Sequence, residues 1–167
     1  MDKNKRAIIK EILVYGLLLL GVLGIKLYVV SPIRVNGNSM YKTLHDNDIM
    51  ILNEIIYRFN DIKRLDIVVI KVEDEYLIKR VIGLPGESIK CEDGKIYIDG
   101  KILVDKYANG ITSDFDEIIL SKDEYFVLGD NRENSIDSRN YGAFNRKQIK
   151  GKASFIIYPF NRFGMKK

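Results

Sequence analysis

The sequence predicts a mostly β protein, in which one amino-terminal transmembrane helix precedes a single antiparallel β domain. Three observations predict it. An apolar run with glycines, ILVYGLLLLGVLGI, fills residues 12–25 and resumes after Lys26 as far as Val30. Short β-branched segments bounded by turn residues follow it. The 167 residues, 46% hydrophobic and 30% charged, suit about one folded domain rather than a disordered chain.

The helix comes first. Residues 12–30 number 19, enough to cross a hydrocarbon core of roughly 30 Å. Lys26 stands near the far end, where its ammonium can snorkel to the interface. Lys3, Lys5, Arg6 and Lys10 precede the run, which sets residues 1–11 in the cytoplasm and residues 31–167 on the far side. A cleaved signal peptide shares the basic start. However, no A-x-A-like pair follows the run, and Pro32 comes directly after Ser31. A buried core helix would need a polar face and less length. The expectation is a single-pass signal-anchor in the cell membrane, with lipid as a partner.

The strands are expected at residues 49–52, 66–72, 76–84, 88–91, 95–98, 101–104, 125–128 and 153–158. Glu92-Asp93-Gly94 and Asp99-Gly100 read as hairpin turns. Residues 39–44 and 53–60 could each form a short helix.

Composition narrows the chemistry. A lone cysteine, Cys91, leaves no disulfide within the chain. One cysteine and one histidine, His45, cannot build the usual zinc site, and no cofactor or metal is expected. A Ser-His-Asp triad would have to use His45. The net charge of +4 is concentrated at the amino terminus. Residues 1–30 hold five basic and two acidic residues, and residues 31–167 hold 22 and 21. A nucleic-acid partner is therefore not expected, since such a binder carries its basic stripe on the folded part.

Four stretches carry more than scaffold chemistry. Asn36-Gly37-Asn38-Ser39-Met40-Tyr41-Lys42-Thr43-Leu44 sets a serine among small residues just past the anchor. Ser39 could equally cap a short helix. Leu65-Asp66-Ile67-Val68-Val69 reads as a core strand. Lys79-Arg80-Val81-Ile82-Gly83-Leu84-Pro85-Gly86-Glu87 puts two adjacent cations into an apolar strand. They point to opposite faces, each between apolar neighbours, so at least one is expected to be partly buried. An edge strand guarded by lysine is the plainer alternative. Gly129-Asp130-Asn131-Arg132-Glu133-Asn134-Ser135-Ile136-Asp137-Ser138-Arg139 follows an apolar strand. A self-bonded turn explains its Asp, Asn and Ser but not the crowding of Arg132, Asp137 and Arg139.

Together these stretches resemble the type I signal peptidases, membrane-bound serine proteases that remove signal peptides. The resemblance runs from the anchor to about Gly142, with the boxes in family order. Only 41 residues separate Glu87 from Gly129, so the chain resembles the compact form. The resemblance implies the signal-peptidase type of β domain, Ser39 as nucleophile and Lys79 as general base. It also implies that Ser135 orients the Lys79 amine and that Asp137 and Arg139 hold that loop. A free lysine has a pKa near ~10.4, and a base working at neutral pH needs it lowered, which Leu77 and Val81 can achieve by desolvation. The Ser39 N–H is the expected oxyanion donor. Some members add a hydroxyl two residues earlier, where this chain has Gly37.

The implied partners are precursors bearing signal peptides, cut after small residues. They would bind as an added strand beside residues 33–36 and 75–79. Two positions depart from the family pattern: Lys42 replaces a usual proline and Leu65 a usual glycine. Two rivals stand. A self-cleaving Ser-Lys repressor peptidase would need a DNA-binding domain where residues 1–30 offer an apolar run. A membrane-tethered, non-catalytic β module binding exported peptides would have no need of both Ser39 and Lys79.

Overall fold

The structure, a computed structural model, describes residues 3–28 and 30–166. Positions 1, 2, 29 and 167, which fall in the three expected segments, lie outside the described residues. The chain opens with helix α1 (Lys3–Tyr28), and β1 (Val30–Arg34) follows. The helix therefore ends before the expected limit of the anchor, and Val30 pairs with Asn53 as the first residue of a strand. Among the described residues no helix is long and apolar enough to cross a membrane.

The rest is antiparallel β structure in two sheets. After β1 come β2 (Ile49–Asn53), α2 (Ile56–Phe59), β3 (Ile67–Val72) and β4 (Glu75–Gly83). A small sheet follows, made of β5 (Ser88–Glu92), β6 (Lys95–Ile98), β7 (Lys101–Ile102) and β8 (Phe115–Ile119). The chain then returns through β9 (Glu124–Leu128), α3 (Ser138–Tyr141), β10 (Phe144–Asn145), β11 (Ile149–Tyr158) and β12 (Gly164–Met165). The large sheet runs β1-β2-β11-β3-β4-β9-β10, with β12 also on β11, and the small one runs β7-β6-β5-β8.

Alternation along the strands builds the cores. On β9, Tyr125 and Val127 enter one apolar cluster, while Phe126 and Leu128 enter another shared with the small sheet. A third cluster joins Met50, Ile67, Val69 and Ile156 to Met40 and Leu44. The last two residues flank the expected nucleophile loop and pull it onto the sheet. Both Asp-Gly hairpin turns occur as read, with Asp93, Gly94, Asp99 and Gly100 all at positive φ.

Several expectations are corrected. Residues 39–44 form turns, not a helix. In a helix the Ser39 carbonyl would bond the N–H four residues on, but here it accepts from Asn131 N–H at 3.0 Å. The helix expected over residues 53–60 shrinks to α2, because Asn53 belongs to β2 and its side chain accepts the Ile56 N–H. The strand expected at 101–104 stops at Ile102, and the one expected at 153–158 begins at Ile149. Strands β1, β8, β10 and β12 were not signalled. β1 contains Pro32 but lies at a sheet edge, where a missing N–H costs no ladder bond. In β8 two of the five residues are acidic and three are exposed, so its apolar signal is diluted.

Candidate active site

Ser39 lies in the turn between β1 and β2, half-buried. Its backbone is pinned by the loop after β9: Asn131 N–H bonds the Ser39 carbonyl, and Asn131 Nδ2 donates to the Asn38 carbonyl at 3.1 Å. Lys79 reaches Ser39 from β4. Its Nζ donates to Ser39 Oγ at 2.7 Å, and the residue is 4% exposed. Burial lowers the Lys79 pKa from 10.5 to about 8. Asp137 and Asp130 oppose that shift, and Arg139 assists it. His45, by contrast, stands 3.2 Å from Arg162 through its Nε2 and packs on the Tyr41 ring.

Both adjacent cations of β4 are buried, beyond the expectation of at least one. Arg80 is wholly buried, and its Nε and Nη2 each meet the equally buried Asp130 carboxylate at 2.7 Å. Thr43 Oγ1 donates to the same carboxylate. Asp130 thus ties three elements together: the serine turn, β4 and the loop after β9. Sequence reasoning named neither Asp130 nor Thr43 for the site. The available signal was Arg80 itself, because a cation between Ile78 and Ile82 needs a buried counter-charge.

The loop after β9 is built around Asp137. Its carboxylate accepts from Gly129 N–H at 3.0 Å and from Arg139 Nε and Nη2 at 2.9 Å. Burial alone would raise its pKa, but the interactions with Arg139, Gly129 N–H and the Ser135 hydroxyl outweigh burial and hold it below the usual carboxylate range. Arg139 Nη2 also reaches the Ser135 carbonyl at 3.4 Å. Gly129 is a close-approach glycine. A Cβ there would stand 2.2 Å from Ser135 Oγ and 2.5 Å from the Ser39 carbonyl oxygen. Ser135 is thereby packed beside the nucleophile turn. Its Oγ is buried, forms no close hydrogen bond among the described residues, and lies near enough to the Asp137 carboxylate to help lower its pKa. The five residues read from sequence therefore gather in one place, although no hydrogen bond joins Ser135 to Lys79 among the described residues.

The site opens onto two sheet edges. Among the described residues β1 pairs only with β2, and β4 meets β9 only from Arg80 onward, which leaves one side of residues 75–79 unpaired. Between them lies a groove of about 320 Å³, lined by Pro32, Ile33, Leu52 and Tyr76 among others. Leu65, at the departure from the glycine pattern, holds a left-handed φ of 69°, and its carbonyl accepts from Arg80 Nη1. The second departure, Lys42, follows a cis Tyr41–Lys42 peptide. Gly37, two residues before Ser39, has open space where a side chain would project. Among the described residues no cluster of His, Cys, Asp or Glu suits a metal ion.

A hydroxyl met by a buried amine, beside open strand edges, is the equipment of a peptidase of the serine class. Comparison with known proteins agrees. The family model described as signal peptidase, peptidase S26, matches residues 6–158. Signal peptidase I of Bacillus amyloliquefaciens is 40% identical over 149 residues, 82% of this chain and 80% of that protein. Signal peptidase I S of Bacillus subtilis (strain 168) is 37% identical over 150 residues, covering 82% of each. The crystal structure of a signal peptidase I from Enterococcus faecalis V583 superposes with a TM-score of 0.51 at 31% identity, covering 56% of this chain and 97% of that one. The chain belongs to the signal peptidase family, peptidase S26, and is a serine peptidase.

Proposed function

We propose that this chain is a membrane-anchored endopeptidase that removes signal peptides from exported precursors, cutting after small residues, with Ser39 as nucleophile and Lys79 as general base. The observation that carries this reading is the 2.7 Å contact between a buried amine and the Ser39 hydroxyl. An amine with a pKa of about 8 is neutral in a usable fraction at working pH, and its lone pair can take the hydroxyl proton. Ser39 Oγ then attacks the scissile carbonyl. The Ser39 N–H serves the oxyanion, and the open space at Gly37 leaves that side without a side-chain donor. Lys79 returns its proton to the leaving amine. Ser135 aims the Lys79 amine, while Asp137 and Arg139 hold the loop. The precursor lies as an added strand between the edges of β1 and β4, with small side chains facing the groove at Ile33 and Tyr76.

Residues 1–11 are assigned to the cytoplasm, the part of α1 from residue 12 onward to a transmembrane anchor, and the chain from β1 onward to an extracytoplasmic catalytic domain. The charge asymmetry of the sequence supports this topology. So do the exposed apolar side chains of α1, from Ile8 to Val22. The test is cleavage of a secretory precursor by the purified full chain in detergent, beside Ser39→Ala. Loss of cleavage with an unchanged thermal transition is expected. Near-parental cleavage by Ser39→Ala would overturn the reading.

A further inference from the structure

Residues 103–114, which join β7 to β8, contain no strand. They nevertheless lie along the loop after β9 and meet it, or Arg80 of β4, at Asp105, Tyr107, Asn109, Ile111, Thr112 and Ser113. Asp105 pairs with Arg132, the two side chains being 4% and 2% exposed. The Tyr107 ring lies 3.8 Å from the Arg80 guanidinium. Asn109 N–H donates to the Asp130 carbonyl at 2.7 Å, and its own carbonyl accepts Arg132 N–H at 2.9 Å. Ile111 N–H meets Glu133, and Ser113 Oγ accepts from Arg139 Nη1 at 3.2 Å.

We propose that this strap, with Asp105 as its anchor, is a positioning element of the Ser39–Lys79 centre. The inference rests on the reading given under Proposed function. Its route is short. Arg132, held by Asp105 and by Thr112 Oγ1, donates through Nε to the Gly129 carbonyl at 3.0 Å. Gly129 has no slack, being wedged between Ser135 and the Ser39 carbonyl. Without Asp105 a buried guanidinium loses its counter-charge and must turn toward water, releasing Gly129. The charged groups that face Lys79 are Asp130, Asp137 and Arg139. The strap bonds Asp130 through its carbonyl and Arg139 through its side chain. Loosening the strap therefore admits water to a lysine whose charged form burial disfavours.

The test compares the full chain in detergent with Asp105→Asn, Asp105→Glu, Ser113→Ala and Ser39→Ala, by kcat, KM and pH profile on one precursor peptide. Thermal unfolding reports integrity. Asp105→Asn should lose kcat on the order of 10- to 100-fold, as small misplacements of reacting groups do. KM should stay within about two-fold, and the rate midpoint should move to higher pH. Asp105→Glu should restore part of kcat, and Ser113→Ala should move the midpoint in the same direction by less. A folded Asp105→Asn with parental kcat overturns the proposal, as does a loss of kcat with no midpoint shift. If Asp105→Asn does not fold, Ser113→Ala decides alone, and a parental profile overturns the proposal. Cleavage surviving in Ser39→Ala would instead overturn the underlying reading.

Discussion

Lys79 donates a 2.7 Å hydrogen bond to Ser39 Oγ from a position that is 4% exposed. Under the proposed function, this contact and the exclusion of water equip the amine to act as the base. With the Lys79 pKa lowered to about 8, the neutral form accumulates as pH rises through that value. The ratio kcat/KM should therefore climb through about pH 8 and level off above it. Lys79→Arg keeps a cation of similar length that cannot be deprotonated. Initial rates across pH should show Lys79→Arg as inactive as Lys79→Ala. An active arginine variant would mean that the charge, not the proton, matters.

The same burial has a stability cost with a definite sign. The folded-state pKa is depressed from 10.5 to about 8, so between these values the unfolded chain holds the extra proton. Stability from this group rises with pH across that window, and the penalty is complete below pH 8. Its size is on the order of 3 kcal/mol. Lys79→Met, inactive but of similar shape, should unfold at a higher temperature than the parent at pH 7. The advantage should shrink as pH rises from 8 toward 10.5. Thermal melts at pH 7 and pH 10 check both statements.

Arg80 and Asp130 behave in the opposite way, because each is buried with its partner. Removing one leaves the other charge uncompensated, a loss of about 3–5 kcal/mol. Asp130→Ala should therefore lower the free energy of unfolding by that amount and also remove the acceptor of the Thr43 hydroxyl, within the nucleophile turn. Replacing both partners by apolar residues should restore part of the stability but not the activity. Chemical denaturation of the single and double variants measures this.

How much of this was legible in the sequence depends on the kind of signal. Strands that form an unbroken apolar run, such as β3 and β9, are legible nearly to their ends, because burial on both faces imposes that run directly. Edge strands β1 and β8 were missed, since an edge tolerates Pro32 and an acidic stretch without penalty. Ser39, Lys79, Ser135, Asp137 and Arg139 were found through ordered motifs, and they do converge in space. Asp130 was overlooked because its partner lies 50 positions away, and a counter-ion at that distance leaves no local pattern. The strap at 103–114 escaped for the same reason, its register being set by the loop it touches.

Ser135 supplies the last prediction. Its Oγ is buried, with no close hydrogen-bond partner among the described residues, and the hydroxyl helps to lower the pKa of the neighbouring Asp137 carboxylate. Ser135→Ala removes the hydroxyl, and with it both its contribution to Asp137 and the atom nearest Gly129. Stability should change by no more than about 1 kcal/mol. If the hydroxyl aims Lys79 at Ser39, the same change should lower kcat on the order of 10- to 100-fold with little effect on KM. Gly129→Ala gives the contrast. Its new Cβ would stand 2.2 Å from Ser135 Oγ and 2.5 Å from the Ser39 carbonyl oxygen, so it should damage stability and kcat together. Melting curves and steady-state rates for the two variants separate packing from chemistry. A Ser135→Ala enzyme with parental kcat would leave Ser135 no part in the reaction.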